Sequence, residues 1–304
     1  MYQLVMLDDG GTPRAGVLRD GSVAVIPDIP AGEDALLRVI GAWDRLGRHV
    51  AATSGRPRPE GRVHLLAPLM YPGKILAAGA NYSDHAREMA GAGATGAGDG
   101  SAGTGGTARP GGDSPYLFMK PSRHCVIGPG AAIRVPPWAT RIDWEVELAV
   151  VIGREARRIP VERALEYVWG YTVMNDITSR DLTRRSDIPF RHDWLSGKGL
   201  DTFGPMGPAL TPREFVPDPG RLSLHLKVNG EVMQDSTTAG LIYSVPALVA
   251  YASSRCTLDP GDVIMTGTPA GVGAGRGVFL KPGDVVEAYV ERIGTLVNRI
   301  EAEP

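Results

Sequence analysis

Ile142-Asp143-Trp144-Glu145-Val146-Glu147-Leu148-Ala149-Val150-Val151-Ile152 is the stretch on which the fold and the chemistry of this chain both turn. Side chains of an extended strand alternate between faces. Trp144, Val146, Leu148, Val150 and Ile152 therefore fall on one apolar face, and Asp143, Glu145 and Glu147 on the other. Carboxylates on one face repel each other, and partial burial pushes protons onto them. A hard dication relieves both penalties, because Mg²⁺ and Mn²⁺ favour carboxylate oxygen. A solvated strand face is the plainer alternative, and this stretch alone leaves it open.

Further along, Gly170-Tyr171-Thr172-Val173-Met174-Asn175-Asp176 reads as a strand ending in Asn-Asp, so Asp176 can add a third oxygen. Three carboxylates leave positions open for water and substrate, as a catalytic metal site requires. In Asn81-Tyr82-Ser83-Asp84-His85-Ala86-Arg87-Glu88-Met89, a short helix sets His85 and Glu88 at i, i+3. A carboxylate beside a histidine orients the ring and raises its basicity, although a surface ion pair has the same spacing. Lys198 and Arg180 read either as surface cations or as an oxyanion stabiliser and a carboxylate fork. Thr266-Gly267-Thr268-Pro269-Ala270-Gly271-Val272-Gly273 is either a plain tight loop or a set of free N–H groups for a ligand carboxylate.

The rest of the chain frames these motifs. Forty glycines and 25 prolines punctuate short extended runs over 304 residues, which predicts a mostly β, mixed α+β fold. Residues 1–68 form a small first unit with strands at 2–7, 14–18 and 21–26, helical spacing over 33–47, and an exposed linker at 55–60. Residues 69–304 form the larger unit, with strands at 74–78, 146–152, 171–174, 222–228, 263–266 and 285–291 and helices at 84–90, 161–168 and 245–253. Asn229-Gly230 predicts a hairpin turn. The 91–114 stretch, in which glycine fills nearly half of residues 91–112, predicts a flexible insertion. The Gly271–Gly277 run leads into no helix, so a dinucleotide fingerprint fails on context. A net charge of −2 without a basic stripe argues against nucleic acid. Two cysteines, no charged leader and no apolar run of membrane-spanning length predict a cytoplasmic protein that engages no membrane.

The ordered set of motifs, namely Asn81–His85, Asp143–Leu148, Asn175–Asp181, Lys198, Val228–Glu231 and Thr266–Gly271, resembles the fumarylacetoacetate hydrolase superfamily. The likeness runs from about Pro72 to the C-terminus, and it is greatest to the branch of acylpyruvate and fumarylpyruvate hydrolases and 2-hydroxyhepta-2,4-diene-1,7-dioate isomerases. The resemblance implies a mixed β-sandwich roll with a small N-terminal α/β domain, assembled as a homodimer. It implies Mg²⁺ or Mn²⁺, with Ca²⁺ as a substitute, on Glu145, Glu147 and Asp176. By the same matching His85 and Glu88 activate water, Lys198 stabilises an oxyanion, and Arg180, Gly267, Thr268 and Tyr82 hold a small 2-oxo acid. The family's loop after Met89 is short, so the long insertion here is a departure. The leading expectation is hydrolytic C–C cleavage of an acylpyruvate-type 1,3-diketo acid in aromatic catabolism. Isomerisation or decarboxylation of a 2-oxo acid on the same site is the alternative, and a non-catalytic ligand-binding protein is the second.

Overall fold

The computed structural model describes residues 1–51, 53–94, 113–189 and 191–304. Residues 1–68 supply β1 (Gln3–Asp8), β2 (Pro13–Arg19), β3 (Ser22–Val25), α1 (Ala35–Gly41), α2 (Leu46–Ala51), β4 (Ser54–Pro59) and β5 (Leu65–Leu66). The three expected strands are present, and the helical spacing over 33–47 resolves into α1 and α2 around one 3-10 turn. The stretch expected to be a linker at 55–60 is instead mostly strand: β4 pairs with β3, Val23 opposite Arg58. Its prolines are tolerated because β4 is the outermost strand of its sheet, where a missing N–H breaks no ladder.

Next come β6 (Ile75–Gly79), α3 (Ser83–Ala94), β7 (Tyr116–Lys120), β8 (Val126–Ile127), β9 (Ala132–Val135), β10 (Ile142–Asp143), β11 (Val146–Ile152) and β12 (Val168–Asn175). They are followed by β13 (Thr178–Ser179), α4 (Trp194–Lys198), β14 (Gly204–Pro212), β15 (Ser223–Val228) and β16 (Glu231–Thr237). The chain ends with α5 (Val245–Arg255), β17 (Val263–Met265), α6 (Gly273–Arg276), β18 (Val285–Val290) and β19 (Gly294–Ala302). The helix expected at 161–168 is a 3-10 segment, Val161–Tyr167. Of the Gly-rich stretch, residues 91–94 continue α3, and the flexibility expected beyond them falls on 95–112, outside the described residues. Among the described residues no helix is long and apolar enough to cross a membrane.

The large sheet runs β4-β3-β2-β1-β14-β12-β11-β17-β6-β7, and a second sheet runs β16-β15-β18-β19-β9. The N-terminal strands join the rest of the large sheet where Leu4 of β1 pairs with Leu210 of β14. Strand β11 lies mid-sheet and is buried on both faces. Val146, Leu148, Val150 and Ile152 pack with Trp144 against Leu224, Leu226, Val286 and Ala288 of the second sheet. This is the apolar face that alternation predicts. Ala149 and Val151 point the other way, against Leu36, Val39 and Ile40 of α1. The result is a mostly β sandwich with helices at its margins. The Asn229-Gly230 turn joins β15 to β16 with both residues at positive φ, as a two-residue hairpin requires.

Strand β14 is the largest departure from the sequence reading. Gly-Pro-Met-Gly-Pro-Ala-Leu-Thr-Pro carries three prolines, yet it occupies a central position. It does so by changing partners along its length: β8 at Gly204 and Pro205, β12 at Met206, Gly207, Thr211 and Pro212, and β1 at Leu210. The interrupted ladder leaves room for residues that cannot donate. Close approach here depends on Gly170, where an added Cβ would collide with the Thr211 carbonyl oxygen. Gly170→Ala is therefore expected to destabilise the chain by about 3 kcal/mol, since backbone cannot retreat as a side chain can. Urea unfolding measures this, and an unchanged midpoint would show that β12 and β14 can separate freely.

Candidate active site

The carboxylates arrive from two neighbouring strands. The stretch that reads as one continuous strand breaks at Trp144 and Glu145, between β10 and β11. The break has a local cause: Asp143 accepts the Trp144 N–H at 2.8 Å, and the Glu145 N–H turns to the side-chain oxygen of Asn175 at 2.9 Å. Asp143 consequently leaves its two companions. It accepts from the N–H groups of Gly273 and Ala274 at 2.6 and 2.9 Å and from Arg180 Nε at 2.8 Å. Glu145 and Glu147 stay together. Because β11 and β12 pair with Glu147 opposite Met174, Asp176 comes alongside them. One oxygen from each of Glu145, Glu147 and Asp176 lies within 4.8 Å of the others, and all three residues are buried.

Cations surround this cluster. Lys198 closes α4, a helix capped by the Asp193 carboxylate, which takes the Ser196 N–H. Its ammonium donates to Glu145 Oε2 at 2.9 Å, Asp176 Oδ2 at 2.6 Å and Thr178 Oγ1 at 2.8 Å. Arg180 forks between Asp143 and Glu145, its terminal nitrogen 2.6 Å from Glu145 Oε1. Lys120, at the end of β7, donates to Asp176 Oδ1 at 2.6 Å and to the Lys198 carbonyl oxygen. Burial opposes ionisation of Glu145, but the Lys198 and Arg180 charges outweigh it and hold its carboxyl at about 2. Burial would likewise depress the Lys198 ammonium, and the Asp176 and Glu145 charges reverse that and raise its pKa.

Glu147 differs. Among the described residues no Lys or Arg is within ion-pair distance of it, and its Oε2 accepts only the Gly267 N–H, at 2.6 Å. Burial and the Asp176 and Glu145 charges push its carboxyl far above the usual range. A buried carboxyl beside two carboxylates is the environment that a dication relieves. The donor set is all oxygen, which suits Mg²⁺ or Mn²⁺. Oxygens about 2.1 Å from one ion stand at most about 4.2 Å apart, a spacing compatible with this cluster. The residues present fit a hard divalent cation.

The second group of predicted residues sits on α3. His85 is buried, with Nδ1 3.3 Å from Glu88 Oε2. Burial opposes ionisation of Glu88, but His85 and the N–H groups of Gly271 and Val272 hold its pKa below the ordinary value. Glu88 thus remains a carboxylate able to orient the ring. That approach needs glycine at 275, where an added Cβ would stand 2.5 Å from Glu88 Oε1 and 2.7 Å from its Cγ. Gly275→Ala is expected to push Glu88 off His85 and lower kcat about ten- to a hundredfold. Steady-state kinetics reads this, and an unchanged kcat would mean that Glu88 does not orient His85.

The remaining predicted residues frame the cluster. Gly267, at φ +94, has the backbone conformation that favours glycine, and this aims its N–H at Glu147. The Thr268 hydroxyl donates to the Val146 carbonyl at 2.9 Å and accepts from Gln234 Nε2 at 2.8 Å. Tyr82 is fully buried, and burial with the Glu147 and Asp84 charges raises its pKa. Sequence reasoning missed Lys120, Thr178 and Gln234. Lys120 ends the apolar run Tyr116-Leu117-Phe118-Met119, and a cation closing a β-branched or aromatic run was the only available signal.

Residues 74–301, which carry every one of these groups, match the family described as fumarylacetoacetate (FAA) hydrolase C-terminal. The chain belongs to that family. Among its curated relatives, the mitochondrial oxaloacetate tautomerase fahd2 of Xenopus laevis is 36% identical over 308 residues, covering 96% of this chain and 87% of that protein. The crystal structure of 5-carboxymethyl-2-hydroxymuconate delta-isomerase from Mycobacterium smegmatis shares the fold at a TM-score of 0.74 and 33% identity, over 99% of both chains. Maleylpyruvate hydrolase from Sphingobium sp. SYK-6, solved in complex with manganese(II) ion and pyruvate, gives 0.75 at 26% identity, over 99% of this chain and 100% of that one. The fumarylacetoacetate hydrolase family contains hydrolases, isomerases and tautomerases, so this chain has the scaffold of an enzyme.

Proposed function

We propose that the protein is a divalent-cation-dependent enzyme that moves protons on the enol or enolate of a small 2-oxo carboxylate, keto–enol tautomerisation being its reaction. The observation that carries this reading is the Thr266–Gly271 loop, which gives its Gly267 N–H to Glu147 and its Gly271 N–H to Glu88 and so ties the His85–Glu88 pair to the buried Glu145, Glu147 and Asp176 cluster. It joins a proton carrier to a site built for concentrated positive charge. Relatives that act as a tautomerase and as an isomerase along nearly the whole chain support the same choice, and the manganese of the maleylpyruvate hydrolase supports the cation.

Glu145, Glu147 and Asp176 would hold Mg²⁺ or Mn²⁺, which supplies the positive charge that favours an enolate over its keto acid. The chain's own residues do the rest. His85, held by Glu88, takes the proton from the carbon beside the 2-oxo group and returns it, or passes it to the enol oxygen. The Lys198 ammonium adds charge at the developing oxyanion, and Lys120 fixes Lys198 and Asp176 by bonding both. Arg180 locks Glu145 against Asp143 and keeps the cluster in register.

Hydrolysis is the second reading, favoured by the same His–Glu pair. His85 would take a proton from water, the water oxygen would attack the distal carbonyl carbon of an acylpyruvate, and the C–C bond would break to leave pyruvate enolate. A panel of oxaloacetate enol, a dienedioate and several acylpyruvates, assayed with Mg²⁺ or Mn²⁺ and again in chelator, tests both. Metal-dependent tautomerisation is expected on at least one 2-oxo dicarboxylate. Pyruvate release without tautomerisation would favour the hydrolase, and no turnover of any member would leave a ligand-binding protein.

A further inference from the structure

A run of aromatic rings leads outward from Lys198, and the chemistry above makes no use of it. Strand register sets Phe118 on the site's face of the large sheet: Ala149 aligns with Met265, Met265 with Ala77, and Ala77 with Phe118. Aligned residues share a face, and Glu147, two residues before Ala149, shares it too. The centre of the Phe118 ring lies 5.5 Å from Lys198 Nζ. Tyr116, two residues along the same face, is 49% exposed. Trp194 stands one helical turn before Lys198 on α4 and stacks on Phe118, with ring centres 5.3 Å apart and planes 17° from parallel. It also packs tilted against Tyr116, with 6.2 Å between ring centres and planes 50° apart. His192 stacks on Trp194 at 5.7 Å and comes from the basic segment 184–193, which no role has yet absorbed.

A core cluster of rings is closed on every side. This one begins at the ammonium of the active site and ends half exposed at Tyr116. Charge fixes the 2-oxo carboxylate end of a substrate at the cluster, so the remainder of the molecule extends past these rings. Aromatic groups interact best with other flat π systems, edge-on or offset, whereas a saturated chain gains only buried area. We propose that Tyr116, Phe118 and Trp194 form the subsite for the distal end of the substrate and select a planar, unsaturated or aromatic tail. The proposal rests on the 2-oxo acid reading above.

Calorimetry on the full chain loaded with Mg²⁺ tests it with two probes, oxalate for the carboxylate end alone and phenylpyruvate for a tailed acid. In Tyr116→Ala and in Trp194→Leu the Kd of phenylpyruvate relative to that of oxalate is expected to rise roughly threefold to tenfold, the usual worth of an aromatic contact. Tyr116→Ala is half-exposed and remains informative should Trp194→Leu fail to fold. A ratio that stays fixed, or equal weakening of both probes, overturns the subsite while leaving the 2-oxo acid reading intact. Failure of oxalate to bind the unsubstituted chain overturns both.

Discussion

Glu147→Gln should melt at a higher temperature than the unsubstituted chain in chelator, and should gain nothing from Mg²⁺ or Mn²⁺. The first half follows from linkage. Burial and two neighbouring carboxylates raise the folded-state pKa of Glu147. Between the unfolded value, about 4.3, and that raised value, the folded chain binds a proton that the unfolded chain has released. Stability of the metal-free protein therefore falls as pH rises through this window, by about 1.4 kcal/mol per pH unit. Glutamine removes the penalty, and its carbonyl can still accept the Gly267 N–H. The second half follows from the lost charge. An ion at a hundred times its Kd stabilises a folded chain by about 2.7 kcal/mol, which for a chain of this length shifts melting by roughly 4 °C. The two curves should cross when metal is added. Thermal melts at pH 7.5 read both, and an equal metal-induced shift in the variant would remove Glu147 from the site.

His85→Ala carries the second large effect. Loss of a positioned general base costs about 10²–10⁴ in rate. His85 touches Glu88 and none of the three clustered carboxylates by hydrogen bond, so the metal-induced rise in melting temperature should survive the substitution. Tautomerisation, and any acylpyruvate hydrolysis, should fall together. Decarboxylation of oxaloacetate needs only enolate stabilisation and should persist. Steady-state assays with the three reactions side by side separate proton transfer from charge stabilisation. If the metal-induced shift disappears with His85, the ring belongs to the metal's ligand set. If all three reactions fall equally, His85 serves binding.

How much of this was legible in sequence depends on the range of the interaction. Period-two alternation over Val146–Ile152 predicts both the apolar face that packs on Leu224 and Val286 and the carboxylate face of Glu145 and Glu147. Asp176 was accessible because it ends the strand that pairs with β11. Asp143 continues the same pattern in sequence yet belongs to Arg180 and the Gly273–Ala274 turn, partners 37, 130 and 131 residues away that strand alternation cannot show. Lys120 was invisible for a similar reason: its partners Asp176 and Lys198 lie 56 and 78 residues distant. Strand β14 was hidden by local chemistry. Proline in a central strand contradicts the usual rule, and only its changing partners make it tolerable. The His85–Glu88 spacing was plain, but its link to Glu147 through the Gly267 and Gly271 N–H groups required the tertiary fold.

Titration of Mg²⁺ or Mn²⁺ into chelator-stripped protein by calorimetry, beside Asp176→Asn, tests the central assignment most directly. One saturable site per chain is expected in the parent protein, with affinity at least a hundredfold weaker in the variant. No heat in either protein, or identical isotherms in both, would contradict a cation held by Glu145, Glu147 and Asp176.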